Sequence, residues 1–317
     1  MSSQSAEFAL QNQIALVTGA GTGVWAIHVN LHCVAIYLLC SGLIIAKALA
    51  SQGAKVYIAG RRAHVLENAA ASVNIVGPGK VVPCACFTSD YQISLRMDVV
   101  DEEDIKVAVH NIEALDGRLN ILVNNAGVNG PTTDPAGFNE RKNNADDLFE
   151  PEAFDDWVAL FKLNTIAPFF LIKAFTPLLL KGAAEHQGTA NIINISSTAA
   201  SINYVNTSAS FSYGVSKAAL EHLTVVLAAH FAKTGQPIRV NAIAPGLFPS
   251  ELSETFSANI DMKAFFEQPL PGFLSPVPAK RMGTADEMGK TAVYLTTNEY
   301  VNGIVLTVDG AISIVNP

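Results

Sequence analysis

The sequence predicts an α/β fold in which helices cover both faces of a parallel, doubly wound sheet. Short apolar, β-branched runs alternate with longer helical stretches along the chain, which is typical of parallel strands joined by crossover helices. The strand runs are continuously apolar, as a sheet buried on both faces requires. No internal repeat, low-complexity tract or linker divides the 317 residues. We therefore expect one domain spanning residues 1–317.

The bounds of the individual strands and helices are predicted from this alternation. Strands are predicted where four to six apolar or β-branched residues occur together, and helices where apolar residues recur at helical spacing. The predicted strands are 14–17, 55–59, 119–123, 191–195, 238–243 and 304–308, and the predicted helices are 42–52, 102–115, 151–181, 213–234 and 285–297.

Composition excludes several classes of protein. Half of the chain is apolar and 15% is charged, which argues against intrinsic disorder. Twenty Lys and Arg against 28 Asp and Glu give a net charge of −8, which argues against a nucleic-acid partner. Residues 1–13 carry neither a positive region nor a long apolar run, so no secretory signal is expected. The four cysteines lie in two tight pairs and are expected to be reduced, in a cytoplasmic protein.

A glycine-rich turn follows the first predicted strand directly. Thr18, Gly19, Gly21 and Gly23 lie in this turn. Glycines allow the backbone to approach a pyrophosphate, and the N-terminus of the following helix attracts the anion. The turn is therefore a candidate phosphate-binding site for a dinucleotide.

The turn resembles the T-G-x-x-x-G-x-G signature of the short-chain dehydrogenase/reductase family. The last glycine of that signature would fall at Trp25, where an indole would fill the space needed for close packing of helix and strand. If residues 24–41 are set aside, Gly42 supplies this glycine and opens the predicted helix 42–52.

Two segments, 24–41 and 82–92, interrupt the pattern and contain all four cysteines. We interpret both as foreign to the fold, with translated intron sequence as the proposed origin. Removal of 82–92 would leave a seventh strand ending at Asp98. Should 24–41 belong to the folded protein, we expect it to displace the helix start and impair catalysis.

A membrane anchor is a further alternative for the first segment. The run 24–46 lacks Asp, Glu, Lys and Arg and is long enough to span a bilayer. His28 and His32, and Cys84 and Cys86, are too few for a metal site. We expect no metal.

The three residues that directly follow the second strand predict the cofactor. An acidic residue usually holds the adenosine ribose here, but this sequence has Gly60, Arg61 and Arg62. Guanidinium groups favour a 2′-phosphate, so NADP is expected in preference to NAD. The alternative is that both arginines simply begin a surface helix. The family resemblance adds an adenine contact at Asp98 and Val99, and the N-N-A-G motif that includes Asn125, Ala126 and Gly127.

Tyr213 and Lys217 form the strongest candidate for chemistry. A phenol is a poor base near neutral pH, but a lysine four residues later lies on the same helical face. Its charge is expected to lower the pKa of Tyr213 towards neutral pH. These residues, with Ser197 and Asn164, resemble the Asn–Ser–Tyr–Lys tetrad of the family.

That resemblance implies a role for each residue. Tyr213 would exchange a proton with the substrate oxygen, which Ser197 would bind, and Lys217 would also hold the nicotinamide ribose. Asn164 would anchor a water-linked proton relay. Contacts with the nicotinamide are expected from Pro245, Gly246 and Ser250.

The resemblance implies a three-layer Rossmann-type sandwich with a parallel, roughly seven-stranded sheet. The implied activity is NADP-dependent interconversion of a ketone and a secondary alcohol. An apolar substrate lid at about 247–280 suggests a hydrophobic substrate, such as a 3-oxoacyl or polyketide-like ketone. The alternative is that these apolar residues pack a helix against the core. The apolar surfaces of helices 151–181 and 213–234 suggest a homodimer or homotetramer.

Overall fold

The apolar runs form strands, as predicted. A computed structural model describes residues 8–21, 41–73, 75, 77–83, 86–87, 93–94, 97–130, 152–203, 210–248, 266–269 and 274–317. The strands are β1 (Ile14–Thr18), β2 (Lys55–Ala59), β3 (Lys80–Pro83), β4 (Cys86–Phe87), β5 (Ile93–Ser94), β6 (Ile121–Asn124), β7 (Ala190–Ile195), β8 (Ile238–Pro245) and β9 (Val305–Val308).

Helices alternate with these strands. They are α1 (Ser41–Ser51), α2 (Ala63–Ser72), α3 (Glu102–Asp116), α4 (Phe154–Phe161), α5 (Ala167–His186), α6 (Phe211–Lys233), α7 (Ala285–Thr297) and α8 (Ile312–Val315). A π-helix (Lys162–Ile166) joins α4 to α5, and a 3-10 turn (Thr198–Ala200) follows β7.

Seven strands form one parallel sheet in the order β3-β2-β1-β6-β7-β8-β9. One hydrophobic cluster joins α3, α5 and α6 to one face of the sheet, and a second joins α1, α2 and α7 to the other. The predicted three-layer Rossmann-type fold is confirmed. The strand order reverses between β1 and β6, and in such sheets ligands bind beyond the carboxyl ends of the strands at this point.

The predicted helix 151–181 is divided in the structure. It begins at Phe154, widens into a π-helix and continues to His186. Pro168 has no N–H to donate to the carbonyl of Asn164, so a regular α-helical bond cannot form there. Instead, the N–H of Ala167 bonds the carbonyl of Lys162. The widened turn carries Asn164, whose side chain is buried.

The structure corrects the bounds of both proposed foreign segments. Ser41 belongs to α1, and Val82 and Pro83 belong to β3, where they pair with Tyr57 and Ile58 of β2. These residues therefore contribute to the regular fold. The remainder of 24–41 lies outside the described residues.

The edge of the sheet shows where the second segment interrupts it. The N–H of Met97 bonds the carbonyl of Gly60 at 3.0 Å, as the N–H of Lys80 bonds that of Ala54 at 3.1 Å. Because Pro83 is opposite Ile58, an uninterrupted strand would bring residue 86 to the position of Met97. The chain arrives about eleven residues later, which is the length of the segment 82–92.

Among the described residues, one helical run, Phe154–His186, is long and apolar enough to cross a membrane on length and composition alone. Its buried side chains, among them Leu171 and Phe175, pack in the core cluster beneath the sheet. The alternative span 24–46 lies largely outside the described residues.

Candidate functional site

The glycine-rich turn lies at the carboxyl end of β1, against the first turn of α1. Gly19 has a φ of +66°, and a Cβ on it would lie 2.7 Å from the Cα of Ala126. A Cβ on Gly42 would lie 2.5 Å from Nδ2 of Asn125 and 2.9 Å from the Cα of Ala20. Glycine is therefore required at both positions, and Gly42 occupies the place of the third family glycine.

This arrangement corrects our expectation that 24–41 would displace the helix. The helix begins at Ser41 beside the turn, because Gly42 allows its backbone to approach Gly19 and Ala20 closely. The complete T-G-x-x-x-G-x-G signature of the family results when Thr18 to Gly23 are followed directly by Ser41 and Gly42. Ser41 therefore belongs to the signature and not to the foreign segment. Gly23 and Trp25 themselves lie outside the described residues.

Hydrogen bonds fix the turn to the end of β6. Thr18 Oγ1 accepts from the N–H groups of Asn125 (3.1 Å) and Ala126 (3.2 Å). Asn125 Nδ2 donates to the carbonyls of Thr18 (3.0 Å) and Gly19 (3.1 Å). The N-N-A-G motif thus holds the glycine-rich turn in position.

The residues predicted to recognise adenosine lie beyond the end of β2. Arg61 and Arg62 are exposed, and Arg62 occupies the N-cap position of α2 without a side-chain cap bond. Asp98 is half-buried, with its backbone N–H bonded to Asp104 Oδ2 at 2.8 Å, and Val99 is buried. The structure therefore places both arginines and Asp98 at the carboxyl end of the sheet, where the glycine-rich turn also lies.

Tyr213, Lys217 and Ser197 converge beyond the ends of β7 and β8. A side-chain hydrogen bond joins Tyr213 and Ser197. Lys217 Nζ donates to the carbonyl of Ile195 at 2.7 Å and lies 5.8 Å from the centre of the Tyr213 ring. The three side chains are all buried, so water competes weakly for their polar groups.

The structure corrects the expected pKa of the phenol. Burial raises the pKa of Tyr213 above its ordinary value, and the hydrogen bond with Ser197 offsets this only in part. Burial lowers the pKa of Lys217 to about 8, and the Glu221 carboxylate acts in the opposite direction. Burial of the phenol thus outweighs the lowering of the pKa of Tyr213 that we expected from Lys217, whose ammonium bonds the carbonyl of Ile195.

Asn164 lies beside this group on the π-helix. Its Oδ1 accepts from the N–H of Val128 at 3.0 Å, and its Nδ2 donates to the carbonyl of Val128 at 2.9 Å and to Ser216 Oγ at 3.2 Å. A Cβ on Gly127 would lie 3.1 Å from Asn164 Oδ1 and 3.4 Å from Lys217 Nζ. The end of β6 therefore adjoins both side chains.

Sequence reasoning missed Glu221. Ser196 Oγ donates to Glu221 Oε1 at 2.7 Å, so the Ser196 hydroxyl is engaged by Glu221, whereas Ser197 interacts with Tyr213. Burial raises the pKa of Glu221. The spacing of four residues after Lys217 places it on the same helical face and was a signal that could have identified it.

Pro245 ends β8 next to β9, and Gly246 follows it directly. The N–H of Gly246 bonds the carbonyl of Val308 at 2.9 Å, and a Cβ on it would lie 2.7 Å from the Cα of Asp309. Phe248, early in the predicted lid, is buried. Ser250 and most of the lid 247–280 lie outside the described residues.

Comparisons with known proteins identify the family of this chain. A family profile described as "Enoyl-(Acyl carrier protein) reductase" matches residues 42–313. The protein is 33% identical over 330 residues to the short-chain dehydrogenase/reductase VdtF of Byssochlamys spectabilis, covering 96% of this chain and 94% of that protein. The chain belongs to the short-chain dehydrogenase/reductase family. It is thus an oxidoreductase that acts on small molecules at a CH–OH or carbonyl group.

Two further similarities concern a single organism. The rhamnolipids biosynthesis 3-oxoacyl-[acyl-carrier-protein] reductase of Pseudomonas aeruginosa is 28% identical over 305 residues, covering 96% of this chain and 97% of that protein. A solved structure described as the Pseudomonas aeruginosa RhlG/NADP active-site complex has a TM-score of 0.70 and 27% identity, covering 97% of this chain and 98% of that one.

The described residues fit a nicotinamide dinucleotide. Gly19 and Gly42 leave a backbone cradle that a Cβ would fill, and the N-terminus of α1 adjoins it, which suits a pyrophosphate. Nearer the catalytic group, Lys217 bonds the carbonyl of Ile195 at the carboxyl end of β7, and Pro245 and Gly246 lie at the carboxyl end of the neighbouring strand β8. These positions are those at which the family resemblance places the nicotinamide ribose and ring.

Proposed function

We propose that the protein reduces a ketone on a hydrophobic small molecule to a secondary alcohol with NADPH. The observation that carries the proposal is the buried convergence of Tyr213, Ser197 and Lys217 beside a glycine-lined cradle. Bound NADPH would supply a hydride to the carbonyl carbon.

Tyr213 supplies the proton. Its raised pKa keeps the hydroxyl protonated near neutral pH, which is the form that reduction requires. As the carbonyl oxygen becomes negative, the Tyr213 O–H bond breaks and its proton moves to that oxygen, giving the alcohol and a phenolate. Ser197 is bonded to the phenol, and its hydroxyl would turn to donate to the substrate oxygen and stabilise the charge that develops there.

Lys217 stabilises the phenolate that remains. Its ammonium lies 5.8 Å from the ring centre, within a buried site where charge interactions are stronger than in water. Asn164 holds the end of β6 through Val128. We propose that it also anchors the water-linked relay that returns a proton to Tyr213.

The proposal is tested with Tyr213→Phe and Ser197→Ala. Each variant should bind NADPH as the wild type does, because neither removes a residue of the glycine-lined cradle. Reduction of a long-chain ketone should fall by at least about a thousandfold in Tyr213→Phe and about a hundredfold in Ser197→Ala. NADPH fluorescence measures binding and NADPH absorbance measures turnover; unchanged turnover in Tyr213→Phe would contradict the proposal.

We infer that NADP is preferred over NAD. Support comes from the exposed guanidinium of Arg61 beyond β2, with Gly60 where a carboxylate would repel the 2′-phosphate. Arg61→Ala should lower kcat/KM for NADPH by about tenfold and leave that for NADH within about twofold. Arg118→Ala is the control, because Arg118 pairs with Glu185 away from these residues. Equal losses with both cofactors would contradict the inference.

We also propose that the protein is a homo-oligomer. Exposed apolar side chains cover α4, the π-helix and α5, including Phe154, Val158, Ile166 and Phe169, and Val226 of α6 continues this surface. An apolar groove lies between Phe169 and Val226. Light scattering should show a dimer or tetramer for the wild type and a smaller species for Phe169→Glu. A monomeric wild type would contradict it.

A further inference from the structure

Ile195 ends β7, and the two serines that follow it lie against the part of α6 that carries Tyr213 and Lys217, the catalytic pair. The carbonyl of Ile195 accepts from Lys217 Nζ at 2.7 Å, and the side chain of Ser197 is hydrogen-bonded to that of Tyr213. Ser196 lies between these two residues in the chain. Because the peptide units that join them are planar, the position of Ser196 limits where both neighbours can lie.

Ser196 is held on two sides. Its N–H bonds the carbonyl of Ile243 in β8 at 2.8 Å. On the side of α6, its Oγ lies 2.7 Å from Glu221 Oε1 and 3.4 Å from the carbonyl oxygen of Lys217. A hydroxyl bonds a carboxylate more strongly than a neutral carbonyl, and Ser196 is buried, so water competes weakly for this bond. The Glu221 carboxylate is therefore the main attachment of the Ser196 hydroxyl to the helix.

A second hydrogen bond joins the same strand and helix farther from the catalytic pair. Asn194 Nδ2 donates to Thr224 Oγ1 at 2.9 Å, and both residues are buried. Asn194 precedes Ser196 by two residues and therefore faces the same way. Thr224 follows Glu221 by three residues and lies on the same face of the helix. The two bonds thus link the same surfaces, but only the bond with Glu221 holds a direct neighbour of the residues that contact the catalytic pair.

We propose that Glu221 is a positioning residue that acts through Ser196. Its carboxylate holds the chain at the end of β7 against α6, and the residues on both sides of Ser196 then keep their hydrogen bonds with the catalytic pair. A displacement of about 1 Å between reacting groups can cost about a hundredfold in rate, so this attachment bears on kcat. The inference rests on the proposed ketone reduction and adds a residue that determines the geometry of its catalytic group.

Glu221→Leu and Ser196→Ala each remove this attachment. We expect kcat for reduction of methyl nonyl ketone to fall by about tenfold in each variant, with the KM for the ketone and the affinity for NADPH within about twofold of the wild type. Because both substitutions break the same bond, the double variant should lose no more than about twofold beyond the weaker single variant. Losses that multiply in the double variant would overturn the proposal, as would an unchanged kcat in both single variants.

Glu221→Gln tests whether an acceptor of the same length restores the attachment. Glutamine keeps an oxygen that can accept from Ser196, so kcat should remain within about threefold of the wild type. Each kcat is measured at the pH optimum of its variant, so that a change in the pKa of Lys217 does not enter the comparison. A loss as large as that of Glu221→Leu would overturn the proposal.

Thr224→Val is the matched control. It removes the hydrogen bond with Asn194 between the same strand and helix, keeps the size of the side chain, and should leave kcat within about twofold. A fall of about tenfold in this variant would show that any bond between β7 and α6 has the same effect, and the assignment to Glu221 would be wrong. Should Glu221→Leu not fold, Ser196→Ala and Thr224→Val still decide between these outcomes.

Hydrogen–deuterium exchange gives a readout that needs neither substrate nor cofactor. The N–H of Ala199 bonds Ser197 Oγ at 3.2 Å, so the turn after β7 depends on where Ser197 lies. Amide exchange across residues 196–200 should be at least about threefold faster in Glu221→Leu than in the wild type or in Thr224→Val. Equal exchange in all three would overturn the inference even if the ketone is reduced. Faster exchange in Glu221→Leu without reduction by the wild type would contradict the proposed function and leave the positioning role supported.

Discussion

At the scale of single residues, the buried amine of Lys217 is the group whose charge state controls the proposed chemistry. It is 5% exposed and bonds the carbonyl of Ile195 at 2.7 Å. Among the described residues, the titratable groups that face it are Tyr213 and Glu221, both on α6. Burial therefore has a direct consequence for the pH dependence of reduction.

Reduction is predicted to weaken as the pH rises through about 8. The pKa of Lys217 is lowered to about 8, so its ammonium is present below that pH and is lost above it. The loss removes the charge that stabilises the phenolate, and kcat/KM should fall on the alkaline side. Glu221→Gln should move this fall to lower pH, because the carboxylate raises the pKa of Lys217. A flat profile to about pH 10 would contradict the assignment.

Gly42→Ala is predicted to weaken NADPH binding by about tenfold or more. Its Cβ would lie 2.5 Å from Asn125 Nδ2 and 2.9 Å from the Cα of Ala20, so the turn or α1 must move. A fluorescence titration measures the affinity. Gly235→Ala is the control: it strains a turn with a φ of +71° but meets no atom within 4 Å, and it should leave the affinity unchanged.

Most residues of the candidate site could be predicted because their spacing reflects local geometry. Tyr213 and Lys217 are one helical turn apart, and Ser197 follows a strand that the apolar run 191–195 already marks. The pKa of Tyr213 could not be predicted, because burial depends on tertiary packing. Glu221 was missed for a related reason: its partner Ser196 lies on another element.

At the scale of elements, Arg239 joins β8 to the end of α7. Its guanidinium donates to the carbonyls of Leu295 (2.8 Å), Thr296 (2.8 Å) and Val301 (3.0 Å) and, through Nε, to Thr189 Oγ1 (2.8 Å). The carbonyls at the C-terminus of a helix carry partial negative charge. A buried cation can therefore be satisfied here mainly by backbone carbonyls, and the Glu299 carboxylate adds a favourable charge interaction.

Arg239→Met is predicted to lower the free energy of unfolding by about 2–4 kcal/mol, because several buried acceptors lose their donor. Urea denaturation followed by circular dichroism measures the change. Arg281→Met should lower stability less, since Arg281 pairs with Glu287 at an exposed site. Equal effects of the two substitutions would contradict the role assigned to Arg239.

Elements with a strong apolar pattern were predicted within a few residues, and those without one were not. Predicted strand 55–59 and helix 285–297 agree with β2 and α7. Strand β3 was misplaced because its pairing partner, not its own short sequence, defines it. The π-helix was missed because only Pro168 indicates it, and a proline near a helix start is also compatible with a regular helix.

At the scale of the whole molecule, the detour between Pro83 and Met97 predicts which deletions the fold accepts. Removal of residues 84–94, eleven in number, brings Met97 back into register with β2. The shortened protein should remain folded and bind NADPH as the full chain does. Removal of ten residues, 84–93, shifts the register of this strand against β2 by one residue. The side chains of the strand that follow the deletion would then point to the opposite face of the sheet. That variant should melt at a lower temperature; equal melting would contradict the assigned register.

The same detour has a consequence for solubility. Strand β3 lies at one border of the sheet, where unpaired backbone groups can recruit a strand from another molecule. Strand β3 has only four residues and ends in a proline, after which the chain leaves the sheet. It therefore offers few backbone groups with which another molecule could pair. Interruption of this outermost strand thus protects the protein against self-association through its sheet border.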